Sequence, residues 1–351
     1  MPGRIWNLYA GTDGAAEFYR YWLRGMWEMS WKLTRIMIAV AALALIGVVM
    51  SELISQAGPY QDASMPSGQI HPAAWPGGAL TIADLGHSTL LMDWYGVRVL
   101  SDPALFNRVG LSIGSLLTIG PRRQTAPPLA PAQLQNLDVI LITHAHMDHL
   151  DLPSLRALPK GAVVIACGGC GDLIRPLGFT DVRELRWGEQ TVVKGLKVTA
   201  MGARHWGARW PPMGRAYGYN SYVLERDGTR MLLACDSAST PLFESLATNP
   251  PDLAAFSIAA YDPWIHNHAN PEQVWAMFQQ SRARYLVPIH WGTFRLSREP
   301  MDEPMRRLIV AAGPQADRIV IRQIGVAWTL PAVARHEVNQ GADGIKLNAS
   351  K

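Results

Sequence analysis

Short apolar runs of strand length punctuate the chain from residue 79 onward: ALTIADL (79–85), STLLMDW (88–94), VRVLSD (97–102), DVILIT (138–143), AVVIA (162–166), LKVTAM (196–201), YNSYVLE (219–225), RMLLAC (230–235), AFSIAA (255–260), YLVPI (285–289), RIVIRQ (318–323) and VAWTL (326–330). Runs of this kind, rich in Val, Ile and Leu and bounded by turn residues, predict strands buried on one or both faces. Helical spacing appears between them at 153–157, 170–176, 240–247, 271–282 and 302–312, the last two with Pro or Asp near the expected start. Many strands with helices between them predict an α/β domain of two sheets covered by helices.

A different pattern precedes this one. From Ile36 to Met50 the chain reads IMIAVAALALIGVVM, and the run reaches about 18 residues if it starts at Leu33, enough to span a bilayer. Upstream, Tyr19, Trp22, Met26, Met29 and Leu33 recur at helical spacing with Arg20, Arg24 and Lys32 between them, as an interfacial helix requires. Arg4, Arg20, Arg24, Lys32 and Arg35 precede the apolar run, and the next cation is Arg98. This bias puts the N-terminus in the cytoplasm and the rest on the outer, periplasmic side. A cleaved leader ending near Ser55-Gln56-Ala57 is the rival, but about 35 charged and aromatic residues are long for one. The expected division is an amphipathic segment at 1–32, a transmembrane anchor at 33–51, a Gly/Pro/Ser-rich linker at 52–75, a folded domain at 76–332 and a polar tail at 333–351.

Composition narrows the function classes. Apolar residues at 48% and charged residues at 17% exclude global disorder. A net charge of +4 with no long basic run gives no footprint for nucleic acid, and nothing in the chain specifies an oligomeric state. Of three cysteines, Cys167 and Cys170 are spaced to pair; the motif reads as structural, and as a disulfide if the domain is exported. Cys235 lies in an apolar run, where a buried, inert thiol is usual.

The chemistry concentrates in DVILIT-HAHMDHLD, where His144, His146, Asp148 and His149 follow directly on a strand. Imidazole and carboxylate are the ligands that borderline divalent cations prefer, and alternate side chains of a short loop can reach two ions. A lone histidine is more often a surface or hydrogen-bonded core residue, so the density of the cluster carries the weight. His205, Asp236 and His290 each fall at or just past the end of another apolar run. The seven divide into His144, His146 and His205 for one ion and Asp148, His149 and His290 for the other, with Asp236 between them. Two cations sharing a water make hydroxide available near neutral pH without a side-chain nucleophile.

With the segments LGHSTLLMDWYGVRVLSDPALFNR (85–108), GPRRQTAPPL (120–129), ITHAHMDHLD (142–151), ARHW (203–206), AAYDPW (259–264), HANPEQ (268–273) and IHWGTF (289–294), the chain resembles the metallo-β-lactamase superfamily, in the branch of N-acyl-phosphatidylethanolamine-hydrolysing phospholipase D. The resemblance covers roughly 78–332. It implies an αββα sandwich with two Zn²⁺ at one edge, Mn²⁺ or Fe²⁺ being the alternatives. It also implies phosphodiester cleavage on a phospholipid by a metal-bridging hydroxide, with Asp148 and Asp236 orienting the water. His268 then meets the phosphoryl oxygen or the leaving alkoxide, and His87, Tyr261 and Trp291 are further substrate contacts. Met147, where relatives carry an aromatic, and YGYNSY (217–222), in place of a Trp-rich segment, depart from the pattern around the pocket. The competing functions are a lactonase or amidase working on a carbonyl, and a membrane interaction module that keeps its metals for stability.

Overall fold

The computed structural model describes residues 12–56, 63–66, 68–113, 117–209 and 216–332. They fall into two compact units, Met1–Pro59 and Tyr60–Lys351. The first is one helix, α1 (Thr12–Gln56), which runs unbroken through the expected boundaries at 32 and 51. No proline interrupts it, and Arg20–Val48 is long and apolar enough to cross a membrane. Every residue of that stretch is exposed. Its one hydroxyl in the apolar half, Thr34, donates to the Ser30 carbonyl at 2.9 Å, which lowers the cost of placing it in hydrocarbon. The ends of the expected amphipathic segment and linker, at 1–11 and 57–62, and the tail at 333–351 lie outside the described residues.

The second unit contains fifteen strands among the described residues: β1 (Leu80–Asp84), β2 (Leu90–Trp94), β3 (Val97–Ser101), β4 (Leu111–Ile113), β5 (Leu117–Ile119), β6 (Val139–Ile142), β7 (Val163–Cys167), β8 (Val182–Leu185), β9 (Gln190–Val193), β10 (Leu196–Met201), β11 (Ser221–Arg226), β12 (Thr229–Cys235), β13 (Leu253–Ser257), β14 (Tyr285–Ile289) and β15 (Ala327–Thr329). Helices α2 (Leu152–Ala157), α3 (Gly171–Ile174), α4 (Pro271–Ser281) and α5 (Glu303–Ala312) accompany them. One sheet runs β15-β1-β2-β3-β6-β7-β8, the other β14-β13-β12-β11-β10-β9, and β4-β5 is a small separate hairpin. Each large sheet joins antiparallel strands to a parallel portion, β3-β6-β7-β8 in one and β12-β13-β14 in the other.

Alternation along the strands builds three apolar layers. Val139 and Leu141 of β6 face a core shared with Leu224, Leu233 and Val287 of the other sheet. Their neighbours Ile140 and Ile142 face the opposite way, toward Leu155 and Ile174 of α2 and α3. Leu232 and Phe256 pack on Val274, Phe278 and Leu308 of α4 and α5. The result is the helix–sheet–sheet–helix sandwich expected from the sequence.

Local differences have local causes. β8 and β9 carry Arg, Glu, Gln and Thr on half-exposed edge positions, so the apolar signal that marks central strands is absent. RIVIRQ forms no strand: only Ile319 bridges Leu286, because a 3-10 turn at Gly313–Arg318 delivers the chain there and Arg322 folds back onto the Ile319 carbonyl. The stretch at 240–247 is a 3-10 helix, Leu242–Thr248. The expected linker is shorter than 52–75. The Ser64 N–H donates to the Gln124 carbonyl at 2.8 Å, Ile70 is buried, and the Pro72 carbonyl accepts from Arg98 at 3.3 Å, so residues 63–66 and 68–75 belong to the folded domain.

Candidate metal centre

The parallel and antiparallel pairings point the C-terminal ends of β1, β3 and β6 in one sheet, and of β10, β12, β13 and β14 in the other, to one edge of the sandwich each. The loops leaving those ends carry His87, Asp102, the 144–149 cluster, His205, Asp236, His268 and His290. Four of the residues at these exits, His87 (φ 58°), Asp102 (φ 33°), Cys235 (φ 49°) and His290 (φ 69°), hold left-handed backbone conformations that side chains other than glycine rarely adopt. Strain of this sort persists only where the surroundings enforce it, and it clusters at functional sites.

The seven residues expected from the sequence come together. His144 Nε2 lies 2.9 Å from His146 Nδ1, which lies 3.3 Å from His205 Nε2, so three ring nitrogens converge. In the second group Asp148 Oδ2 stands 3.5 Å from His290 Nε2 and 3.6 Å from His149 Nε2. Asp236 Oδ2 faces both, at 3.0 Å from His149 Nε2, 3.2 Å from His290 Nε2, 3.8 Å from His144 Nε2 and 3.9 Å from His205 Nε2. His87 Nε2 adjoins the second group at 3.0 Å from Asp148 Oδ2, and His268 Nδ1 is 4.0 Å from Asp236 Oδ2.

These donors fit a metal better than they fit one another. His149 Nε2, His290 Nε2 and Asp236 Oδ1 are buried and have no hydrogen-bond partner, although ring nitrogens and carboxylate oxygens crowd within 3.0–3.9 Å. Ligands held about 2.0–2.2 Å from one cation in tetrahedral array stand about 3.3–3.6 Å apart, within that range. Four such groups, His87/Asp148/His149/His290, His144/His149/Cys235, His144/His146/His205 and His205/Asp236/His268, have ligand atoms near enough to share an ion. Burial pushes His144 well below the usual imidazole range, His146 down to about 4 and His87 and His268 down to about 3, which keeps them neutral with a lone pair to give. His290 goes the other way: burial opposes its charge, but the Asp236 and Asp148 carboxylates outweigh burial and push it up to about 9. A cation between these groups takes up that carboxylate charge and removes the cause.

Residues that the cluster's sequence pattern does not mark hold the centre in place. Asp102, fully buried at the exit of β3, accepts from the Thr143 N–H at 2.8 Å and lies 2.8 Å from His149 Nδ1, which turns His149 Nε2 inward. The Arg209 guanidinium donates to the Ala145 and Leu150 carbonyls, both at 2.9 Å, and so ties down the ligand loop. Part of the sequence signature is helix-start chemistry: Asp151 caps α2 by accepting from the Ser154 N–H at 3.0 Å, and Asn270 and Gln273 form a reciprocal capping box on α4.

Above the ligands opens a cavity of about 510 Å³ whose walls include Met147, Trp206, Arg209, Trp264, His268 and Leu296. Trp206 and Trp264 remain about half exposed at its mouth. Met147, the departure noted in the sequence, is thus a wall of this cavity. Tyr261, Trp291 and the buried His87 are not, against expectation. The Tyr261 hydroxyl donates to Glu303 of α5 at 3.0 Å, and Trp291 packs toward the α4–α5 layer, because each side chain is aimed away from the edge by the residue beside it that does face the cavity, Ala260 and His290 respectively.

Several known proteins resemble this chain. A family model for the beta-lactamase superfamily domain matches residues 98–291. An uncharacterised protein of Mycobacterium tuberculosis is 33% identical over 246 residues, 67% of this chain and 65% of that one. N-acyl-phosphatidylethanolamine-hydrolyzing phospholipase D 1 of Caenorhabditis elegans is 30% identical over 234 residues, 60% of this chain and 63% of that one, so the chain spans just under two thirds of the length of either relative. Among solved structures, isothiocyanate hydrolase from Delia radicum gut bacteria superposes with a TM-score of 0.56 at 18% identity over 71% of this chain and 98% of that one, a likeness of fold. The chain therefore belongs to the metallo-β-lactamase superfamily and, over 60% of its length, is similar to N-acyl-phosphatidylethanolamine-hydrolyzing phospholipase D 1.

Proposed function

We propose that the protein is a membrane-anchored, dinuclear zinc phosphodiesterase of phospholipase D type. The observation that carries the proposal is the position of Asp236, whose Oδ2 faces His149 and His290 at 3.0 and 3.2 Å on one side and His144 and His205 at 3.8 and 3.9 Å on the other. One carboxylate between two nitrogen-rich groups is the arrangement of a shared ligand. His144, His146 and His205 would hold one ion and Asp148, His149 and His290 the other, with His87 beside the second. Bound there, divalent cations would supply a water activated near neutral pH and a positive charge for the group under attack.

The protein's own groups do the rest. Asp148 and Asp236 accept hydrogen bonds from the attacking water and fix its line of approach. His268 faces the cavity and donates to a phosphoryl oxygen or to the leaving alkoxide. Arg209 places a positive charge on the cavity wall, while Met147, Trp206, Trp264 and Leu296 exclude water and accept acyl chains. α1 supports anchorage, since Arg20–Val48 has the length and composition of a span, and the cations toward its N-terminal part favour a cytoplasmic N-terminus with the hydrolase domain outside.

The test is a lipid panel. Full-length protein in mixed micelles with phosphatidylcholine, phosphatidylethanolamine and its N-acylated form should release phosphatidic acid, read by mass spectrometry. Turnover of lactones or amides without phosphatidic acid would assign the centre to a carbonyl substrate instead.

A further inference from the structure

Cys167 and Cys170 take no part in the centre described above, and their geometry carries chemistry of its own. Cys167 closes β7 and Cys170 precedes α3, with Gly168 and Gly169 forming the turn between them. Gly169 has φ of +86°, a conformation glycine adopts without strain, and the Cys170 N–H donates back to the Cys167 carbonyl at 3.3 Å. This turn brings the two sulfurs to 2.9 Å from each other. A disulfide needs them about 0.9 Å closer, a movement that side-chain torsions supply without displacing the backbone. Both thiols are fully buried in an apolar layer with Ile142, Leu155 and Ile174. Among the described residues neither joins a group of metal-ligating side chains, so the proximity is not that of a metal site.

The turn lies directly behind the ligand loop. The Gly168 carbonyl accepts from the Gly218 N–H at 2.7 Å, and a Cβ at position 218 would come within 3.0 Å of the Gly168 nitrogen and 3.4 Å of the Cys167 Cβ. One residue on, Tyr219 bridges His144, and the Asn220 N–H donates to the Thr143 carbonyl at 2.9 Å. Three segments, 167–170, 217–220 and 143–144, thus abut in sequence, and the last presents a nitrogen to the metal centre.

We propose that Cys167 and Cys170 close to a disulfide that acts as a covalent clasp behind the metal-ligand loop. Each thiol gives up a proton, and the pair gives two electrons to a disulfide co-reactant of the glutathione class. That co-reactant leaves as two thiols, by way of a mixed disulfide on whichever cysteine is attacked first. Because the sulfurs already stand almost at bonding distance, the clasp fixes the turn where it is and leaves His144 in place. The expected consequence is greater resistance of the domain to unfolding, with the centre's geometry unchanged.

Thiol counting on the full-length protein tests this. The detergent-solubilised chain is brought to equilibrium with oxidised glutathione, quenched in acid, unfolded and alkylated with N-ethylmaleimide. Intact mass should show one adduct, on Cys235, and a chain lighter by two hydrogens, and peptide mapping should show Cys167 linked to Cys170. After reduction all three cysteines should label. Three adducts on the oxidised sample, or glutathione retained on Cys167 or Cys170 without an internal link, would overturn the proposal. The thermal midpoint should be higher for the oxidised than for the reduced protein, and Cys170→Ser should lose that dependence on oxidant. Equal midpoints would overturn the clasp.

Discussion

Replacement of Asp102 by Asn tests how the centre is held together. The Asp102 carboxylate is fully buried and collects four groups: the Thr143 N–H at 2.8 Å on Oδ1, then the Thr143 hydroxyl at 2.6 Å, His149 Nδ1 at 2.8 Å and the Cys235 thiol at 3.1 Å on Oδ2. Asparagine keeps the shape but leaves one acceptor oxygen and adds an NH2 that needs acceptors. Thr143 and Cys235 can rotate their hydrogens away. The His149 ring cannot; facing an amide donor, it must carry its proton on Nε2, the nitrogen 3.0 Å from Asp236. That proton occupies the lone pair the metal requires. Losing a charge-assisted hydrogen bond costs about 1.5–3 kcal/mol, and removing a carboxylate that orients a ligating histidine lowers metal affinity by about 10–100-fold. The two figures agree, since tenfold corresponds to about 1.4 kcal/mol. Competition with a chromogenic chelator on wild-type and Asp102→Asn protein measures the affinity, and circular dichroism confirms that the variant folds. A folded variant with unchanged affinity would refute the role of Asp102 in orienting His149.

Three other outcomes follow from particular contacts. Asp84 is wholly buried, and burial pushes its carboxyl from 3.8 up to about 7 against the Gly86 N–H and Arg123, so its protonated form stabilises the fold below pH 3.8 and that stability is lost as pH rises through about 7. The loss is on the order of 4 kcal/mol; Asp84→Asn should therefore flatten the denaturation midpoint across that window, and parallel wild-type and variant curves would contradict it. Arg209→Met removes both hydrogen bonds to the ligand loop, about 1–3 kcal/mol, and should lower kcat/KM for bis-p-nitrophenyl phosphate about tenfold with the far-ultraviolet spectrum intact; full activity would show that the loop needs no tie. Deleting residues 1–56 should release the protein from sedimenting membranes while it still cleaves that soluble substrate, whereas a truncated chain that still sediments would place membrane affinity in the globular domain.

How far the chain's pattern reveals the fold depends on what each residue does. Central strands such as β6 and β12 are legible because burial on both faces demands apolar runs, and the sandwich follows from their number and the helices between them. Edge strands β8 and β9 meet solvent, so nothing in their composition separates them from a loop. His144, His146, Asp148 and His149 are legible because ligand-type residues are rare at that density, and His205, Asp236 and His290 because each follows an apolar run. Asp102 also follows one directly, in VRVLSD, but a single Asp after a strand is ordinary, and only its contact with His149 gives it a role. Tyr261 and Trp291 show the converse: each neighbours a cavity residue, Ala260 and His290, whose left-handed backbone turns the chain there, and both side chains end in packing away from the cavity. Residues 63–66 and 68–75 look like a linker by composition, because much of what ties them down is hydrogen bonding to backbone groups, which leaves little trace in side-chain type.

In the proposed centre, separate segments of the chain converge on two cations with Asp236 between them. Its most direct test is the metal content of the purified full-length protein by plasma mass spectrometry, with phosphodiester turnover followed on the same sample as a chelator strips it. A dinuclear centre bridged by Asp236 predicts two zinc equivalents per chain in the wild type, activity that falls as they leave, and a loss from both groups in Asp236→Ala. Full activity with one metal or none per chain would contradict it.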